Sequence, residues 1–533
     1  MTSMLTLLPL MIVIFLILTN HKTWCAMTAG AACGIGISCI FTKMYPTPFC
    51  VSDFVCTVAT QNVTTLISIY VLSLLMYIIT ESTAICSLSY TVRRILKKPK
   101  QIICSVPVLG TLLSQDDYMA CMAAGTIITP SATAVGFSRE LVAFLINLTA
   151  ISVCCISPLS SWNPVIKNAL ISSHLAAEFS YLTIPANLTV IMFGITIGWL
   201  CLNVSVSANS RSGYIKRPIS HEDTADGNRR GCFCLLAVFS TLITFFVMFT
   251  RVDIEFSPLT LSGIITCGIT AFLFIQNGLI DKQKLKDCFY LTASETTPLV
   301  FTLLSIWSFI TILNQYLDFD QTVFQIFEII HVTDAGIPAV VFGMAAAFSF
   351  FTGSAYGSFS LFISMAANVS AQLPGNMKIL TVSAAIAGSL FAVFSFSSDT
   401  TLLCSDKTGC NLSSLRALQF SYGIPIFFVE LLGYVLLGTA QCQNLPYYMV
   451  LPLCILAYLL VLSGWTFLMK MEKAKGIWLY KKVCWCSVIM RKEWEDAFSY
   501  SMKLSRRLLT LEYYFRRKQM LSLICYHNKC PGM

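Results

Sequence analysis

YYMVLPLCILAYLLVLSGWTFLM, running from Tyr447 to Met469, carries no charged residue, and its length decides the fold. A helix needs about 20 predominantly apolar residues to cross the hydrocarbon core of a bilayer. Comparable runs recur from Met4 to Thr19, Trp24 to Phe41, Thr64 to Ile79, Tyr181 to Leu202, Cys232 to Thr250, Leu259 to Ile275 and Pro298 to Leu313. The 533 residues are 56% hydrophobic and 11% charged, whereas a soluble domain carries roughly a quarter charged residues. The mean hydropathy is +0.73. These values exclude an ordinary soluble protein and predict an all-α, polytopic membrane protein.

Five further apolar stretches, Ile102 to Leu113, Leu141 to Ile156, Ile337 to Phe351, Ile379 to Phe396 and Leu418 to Leu437, are studded with Ser, Thr, Gly, Pro or Asp. They read as broken or re-entrant helices. The polar segment 205–231 separates a first transmembrane half, 1–204, from a second, 232–469, and each half holds such interrupted stretches. That arrangement is expected of an inverted-repeat transporter with its site near the bilayer midplane. The first apolar run lacks a basic n-region and a small-residue cleavage site, so it reads as a retained helix. The 23 cysteines are scattered, many inside apolar runs, and read as small packing residues.

Lys and Arg mark the cytoplasmic side of a membrane protein. They cluster at Arg93 to Lys100, Arg211 to Arg230, Lys282 to Lys286 and in the tail 470–533. The reading is therefore a multi-pass protein of the cell inner (plasma) membrane with a cytoplasmic C-terminus. The tail alone carries a surplus equal to the chain's formal charge of +9; it suits an anionic leaflet or a solvated appendage. Cys484, Cys486, Cys525, His527 and Cys530 within it could hold zinc, though scattered thiols explain the irregular spacing more simply.

Four polar signatures interrupt the apolar pattern. Asp116 and Asp117 stand between the run ending at Leu113 and a small-residue run through Ala120, Ala123 and Ala124. A charge at bilayer depth costs at least about 2.5–3.5 kcal/mol, which makes such an acid a functional candidate; the alternative is an aqueous loop at the membrane edge. Ser157-Pro158-Leu159-Ser160-Ser161-Trp162-Asn163-Pro164 follows a stretch bearing Asn147 and Thr149. Its prolines free backbone carbonyls, while the bland reading is a turn with Trp162 as an interfacial anchor.

Thr352-Gly353-Ser354-Ala355-Tyr356-Gly357-Ser358 offers Thr352 and Ser354 beside a GxxxG spacing that more often marks a helix-packing face. Ser398-Asp399-Thr400-Thr401 sets one carboxylate among hydroxyls. Oxygen ligands with one negative charge suit a small hard cation, so Asp399 and Thr400 are the candidate sodium ligands; a helix N-cap is the compatible alternative. Glu295 reads as a first-turn acid ahead of the helix that begins at Pro298.

In their order along the chain, Asp116-Asp117-Tyr118, Ser138-Arg139-Glu140-Leu141-Val142-Ala143-Phe144, Ser157 to Trp162, Thr352 to Ser358, and Ser398 to Thr401 with Gly409-Cys410 resemble the signatures of the NhaC-type sodium/proton antiporter family. The matched blocks run from about Asp116 to Gly423 and leave out the tail. The resemblance implies a bundle of inverted repeats with re-entrant hairpins, often dimeric, exchanging a cation or a small organic anion. Two departures stand out. Gln115 occupies a position that is usually aromatic, and Ala392-Val393-Phe394-Ser395-Phe396 replaces an Asp-His-Cys-Ser-Pro run. If the missing Asp and His carry protons in relatives, coupling here uses other acids or another ion.

The expected function is a secondary active transporter, foremost a sodium/proton antiporter working by alternating access. The expected site residues are Asp116, Asp117, Asn147, Ser160, Ser161, Thr352, Ser354, Ser398, Asp399, Thr400 and Thr401. Proton competition for a carboxylate would supply coupling. The alternatives are a proton- or sodium-coupled exchanger of small carboxylates or amino acids, and a transport-inactive scaffold or sensor signalling through the tail. Five His, no HExxH pattern and Ala355 at the nucleophile position of the one near-match to a serine elbow argue against an enzyme. Sodium and protons are the expected coupling ions, with no cofactor. A small cation or organic solute, the lipid bilayer and a second copy are the expected partners, and no nucleic acid.

Overall fold

A computed structural model of the chain describes residues 5–19, 23–42, 48–96, 98–113, 116–172, 187–203, 225–250, 258–317, 319–371, 373, 375–396, 398–443, 445 and 447–475. Among these the regular secondary structure is helical, with no strand. In chain order the helices are α1 Leu8–Leu18, α2 Thr23–Thr42, α3 Pro48–Gln61, α4 Val63–Glu81, α5 Ala84–Ile95, α6 Pro99–Leu113, α7 Asp117–Ala134, α8 Arg139–Ile156, α9 Asn163–Ser172 and α10 Leu188–Asn203. The second half supplies α11 Ala225–Thr250, α12 Pro258–Gln276, α13 Lys282–Tyr316, α14 Phe319–Ile329, α15 Ile337–Thr352, α16 Ala355–Val369, α17 Gly375–Ser389, α18 Asp399–Thr408, α19 Leu412–Cys442 and α20 Tyr447–Lys475. Ten helical segments among the described residues are long and apolar enough to cross a membrane. The chain is a multi-pass, all-α membrane protein.

Met1–Leu462 forms one unit and Ser463–Met533 another; every candidate site residue lies in the first. Most of the segment 205–231, the tail beyond Lys475 with its cysteines and His527, and residues 114, 115 and 397 lie outside the described residues. So does the start of the run from Tyr181, whose helix is described from Leu188.

The structure corrects the expectation of broken helices in a specific way. Ile102–Leu113, Leu141–Ile156, Ile337–Phe351 and Leu418–Leu437 lie inside the continuous helices α6, α8, α15 and α19. Their polar residues do not interrupt the backbone because they bond to it: Thr149 donates to Leu145 O at 2.7 Å and Ser152 to Leu148 O at 2.7 Å, the turn-back bond open to Ser and Thr inside helices. Breaks fall instead at the junctions, at Ser157–Trp162, at Gly353, and after the 3-10 turn Leu390–Phe394. Pro298 sits within the long α13, so Glu295 lies inside that helix and not at its first turn.

Gly353 and Gly357 do not form one packing face. Gly353 ends α15 in the left-handed region, φ 68°, where glycine carries no Cβ penalty, and Gly357 belongs to α16. Close helix approach occurs elsewhere, where α15 packs on α17. A Cβ at Gly388 would lie 2.5 Å from Phe342 O and 2.8 Å from Ala346 N. Both are backbone atoms, so the helices themselves would have to separate. Gly388→Val is expected to destabilise the fold by about 3 kcal/mol or more, read as a fall of several degrees in the melting temperature of the detergent-purified protein. An unchanged melting temperature would contradict that packing.

Candidate cation site

Asp116 precedes α7 and Asp117 is its first residue, a position where the helix dipole favours negative charge. Both carboxylates are buried, 6% and 4% exposed, so they do not sit in an aqueous loop. The turn between α8 and α9 reaches each of them. The Ser161 hydroxyl donates to Asp116 Oδ2 at 2.8 Å, and the Trp162 indole N–H donates to Asp117 Oδ1 at 3.3 Å. Trp162, expected as an interfacial anchor, is instead enclosed, edge-on to Tyr356 and Phe359 with centroids 5.8 and 5.3 Å away. The Tyr356 hydroxyl lies 3.1 Å from Ser161 Oγ. Ser161 has one proton and gives it to Asp116, so Tyr356 is the donor there.

The other acid arrives from the second half of the chain. After Phe394 the backbone leaves its helix and restarts as α18, whose N-cap is Ser398, accepting from Thr401 N at 3.5 Å. The cap is thus Ser398, and Asp399 takes the first helical position. The hydroxyl of Tyr118 donates to Asp399 Oδ2 at 3.3 Å and lies within electrostatic reach of Asp117, Tyr356 and Asp116 as well. Unlike the Asp116–Asp117 pair, Asp399 is exposed. One acid is therefore accessible and two are enclosed, with a tyrosine between them.

Beside Asp399 the hydroxyls of Ser398 and Thr400 lie 3.1 Å apart. Thr401 is fully buried and accepts from Asn147 Nδ2 and from Gln419 Nε2, each at 3.0 Å. Asn147 Oδ1, on a residue 0% exposed, has no hydrogen-bond partner. A buried acceptor left unpaired costs about 1–3 kcal/mol, and a cation would satisfy it. The break that sets up α18 is pinned by Arg416, whose guanidinium donates to Phe396 O. Arg139 donates to Gly409 O at 3.0 Å, a cation against the helix C-terminus.

Three expected site residues serve the breaks. Ser160 donates to Cys154 O and accepts from Asn163 N at 3.3 Å. Thr352 accepts from Ser354 N at 3.3 Å, and Ser354 caps α16 by accepting from Gly357 N at 3.4 Å. Their hydroxyls are committed to backbone, which places Tyr356 against Ser161. Tyr118, Tyr356 and Gln419 escaped the sequence reading. Tyr118 adjoins the paired acids and Tyr356 lies inside a quoted signature, whereas nothing marks Gln419 as more than a polar residue in an apolar helix.

Residues 163–439, just over half of the chain, match the model of the Na+/H+ antiporter family. The chain is also 20% identical over 359 residues to an uncharacterized protein of Haemophilus influenzae, covering 61% of this chain and 68% of that one. The family match takes in Thr352, Ser354 and Ser398 to Thr401, while Asp116, Asp117, Asn147, Ser160 and Ser161 precede it.

Proposed function

The chain belongs to the Na+/H+ antiporter family and is a secondary active sodium/proton antiporter, and on that premise we propose that Asp399 and Thr400, with the oxygens near Asn147, bind the transported sodium while the Asp116–Asp117 pair exchanges the proton. The observation that carries this reading is the Tyr118 hydroxyl, which donates to Asp399 from a residue adjoining Asp117. It joins acids of distant stretches into one polar network. When sodium takes the Asp399 carboxylate, the Tyr118 hydroxyl has to find another acceptor, and the enclosed pair is within its electrostatic reach. Occupancy of one acid is thereby sensed at the others, and alternating access opens the network to each side in turn.

The order of the signatures from Asp116 to Cys410 supports placement in the NhaC-type branch of the family. The basic clusters support a cytoplasmic C-terminus in the plasma membrane. On α11 the side chains of Phe233, Leu236 and Met248 are exposed, which fits contact with lipid tails.

Reconstitution of the full chain in liposomes containing a pH dye tests this reading. Vesicles loaded with sodium and diluted into sodium-free buffer are expected to acidify inside as sodium leaves and protons enter. Lithium, potassium, malate and basic amino acids are supplied in parallel. Proton movement driven by malate or an amino acid and not by sodium would overturn the cation assignment.

A further inference from the structure

A fourth acid, Glu430, lies in the middle of α19 and takes no part in the network above. It is 0% exposed, and between Leu412 and Cys442 it is the one carboxylate in the sequence. Helices α10 and α20 supply neighbours to it. Thr189 of α10 contacts Glu430 Oε2 through its hydroxyl, and the same hydroxyl donates to Ala387 O of α17 at 3.0 Å. Tyr434, one turn on in α19, has Glu430 and Cys155 of α8 within electrostatic reach, and Tyr458 of α20 also senses Glu430. These two tyrosines are the titratable groups recorded against it, and among the described residues no basic side chain acts on its carboxyl.

The Thr189 hydroxyl donates to Glu430 Oε2 and to Ala387 O, its one proton shared between two acceptors. Glu430 Oε1 meanwhile has no partner. A polar group kept for structure alone would not leave a fully enclosed oxygen unsatisfied, at about 1–3 kcal/mol.

We propose that Glu430 is a second proton-carrying carboxyl of the transport cycle, separate from the Asp116–Asp117–Asp399 network and enclosed in this state. The proposal rests on the antiporter reading and adds a site to it. In the cycle an O–H bond forms at the Glu430 carboxyl with a proton taken from water on one side of the membrane. It breaks when a rearranged state opens the carboxyl to water on the other side, leaving the carboxylate there.

The test uses the full chain in liposomes with two measurements, sodium-driven proton flux and exchange of radioactive sodium for unlabelled sodium. If the wild-type protein gives no sodium-driven proton flux, the antiporter reading itself fails. With the wild type active, Glu430→Gln, whose amide oxygen can still accept from Thr189, is expected to lose about tenfold or more of the proton flux. Sodium/sodium exchange should stay within about threefold of wild type, because that limb moves no proton. Equal proton flux in the variant overturns the proposal. Loss of both modes in a variant that elutes like wild type also overturns it, by assigning Glu430 to the sodium path. Where Glu430→Gln is not recovered folded, Glu430→Asp decides. A pH profile of proton flux displaced by about half a unit or more supports the proposal, and an unchanged profile refutes it.

Discussion

Asp399→Asn is expected to slow sodium-driven proton exchange by about a hundredfold or more. The amide is nearly the same size and its oxygen can still accept from Tyr118, which donates to Asp399 Oδ2 in the native protein, so the fold and the local hydrogen bond are retained. What disappears is the negative charge that offsets the desolvation of the cation. Removing one partner of a close charge pair costs about 2–5 kcal/mol when the pair is enclosed, and each 1.4 kcal/mol is about tenfold. The initial rate of dye response in sodium-loaded vesicles reads the effect. A rate within about twofold of wild type would remove Asp399 from the cation path, since it corresponds to well under 1 kcal/mol.

The second large effect concerns the enclosed pair. Asp116 and Asp117 are adjacent in sequence, and each takes its own donor, Ser161 and Trp162, from the turn after α8. Both carboxylates are enclosed and depend on the same turn for their donors. Asp116→Asn and Asp117→Asn are each expected to reduce exchange by about tenfold or more, and the double substitution should lose little beyond the worse single one, because residues in one network are not additive. The pH profile of exchange in all three variants is the measurement that checks this. Wild-type rates with a wild-type profile in both single variants would make the pair a structural anchor for the turn at Ser161 and Trp162.

The fold was legible because hydropathy acts over long windows: the uncharged run from Tyr447 to Met469 and its counterparts needed no knowledge of packing. Continuity was harder to read. Hydroxyl residues such as Thr149 and Ser152 suggest a break, yet inside lipid they satisfy themselves on the preceding turn. Proline was also tolerated within α13 and α19, where neighbouring helices stabilise what an isolated helix could not.

At the site, the acids were legible because charge in an apolar chain stands out; the structure sets Asp116 against Ser161, Asp117 against Trp162 and Asp399 against Tyr118, and separately Asn147 against Thr401. The connecting groups were not. Tyr118, Tyr356 and Gln419 gain their roles only from which helices meet, as when Gln419 of α19 meets Thr401 of α18. Glu430 did carry a signal, one carboxylate in an otherwise acid-free helix. It is not part of any motif, which is why a reading guided by motifs passes over it.

Sodium binding to the detergent-purified full chain, followed by calorimetry in two buffers of different ionisation enthalpy, tests the central claim that cation and proton compete at these acids. The expected result is release of about one proton per sodium bound, with binding lost in Asp399→Asn. Binding that releases no proton, or that persists unchanged in Asp399→Asn, would contradict it.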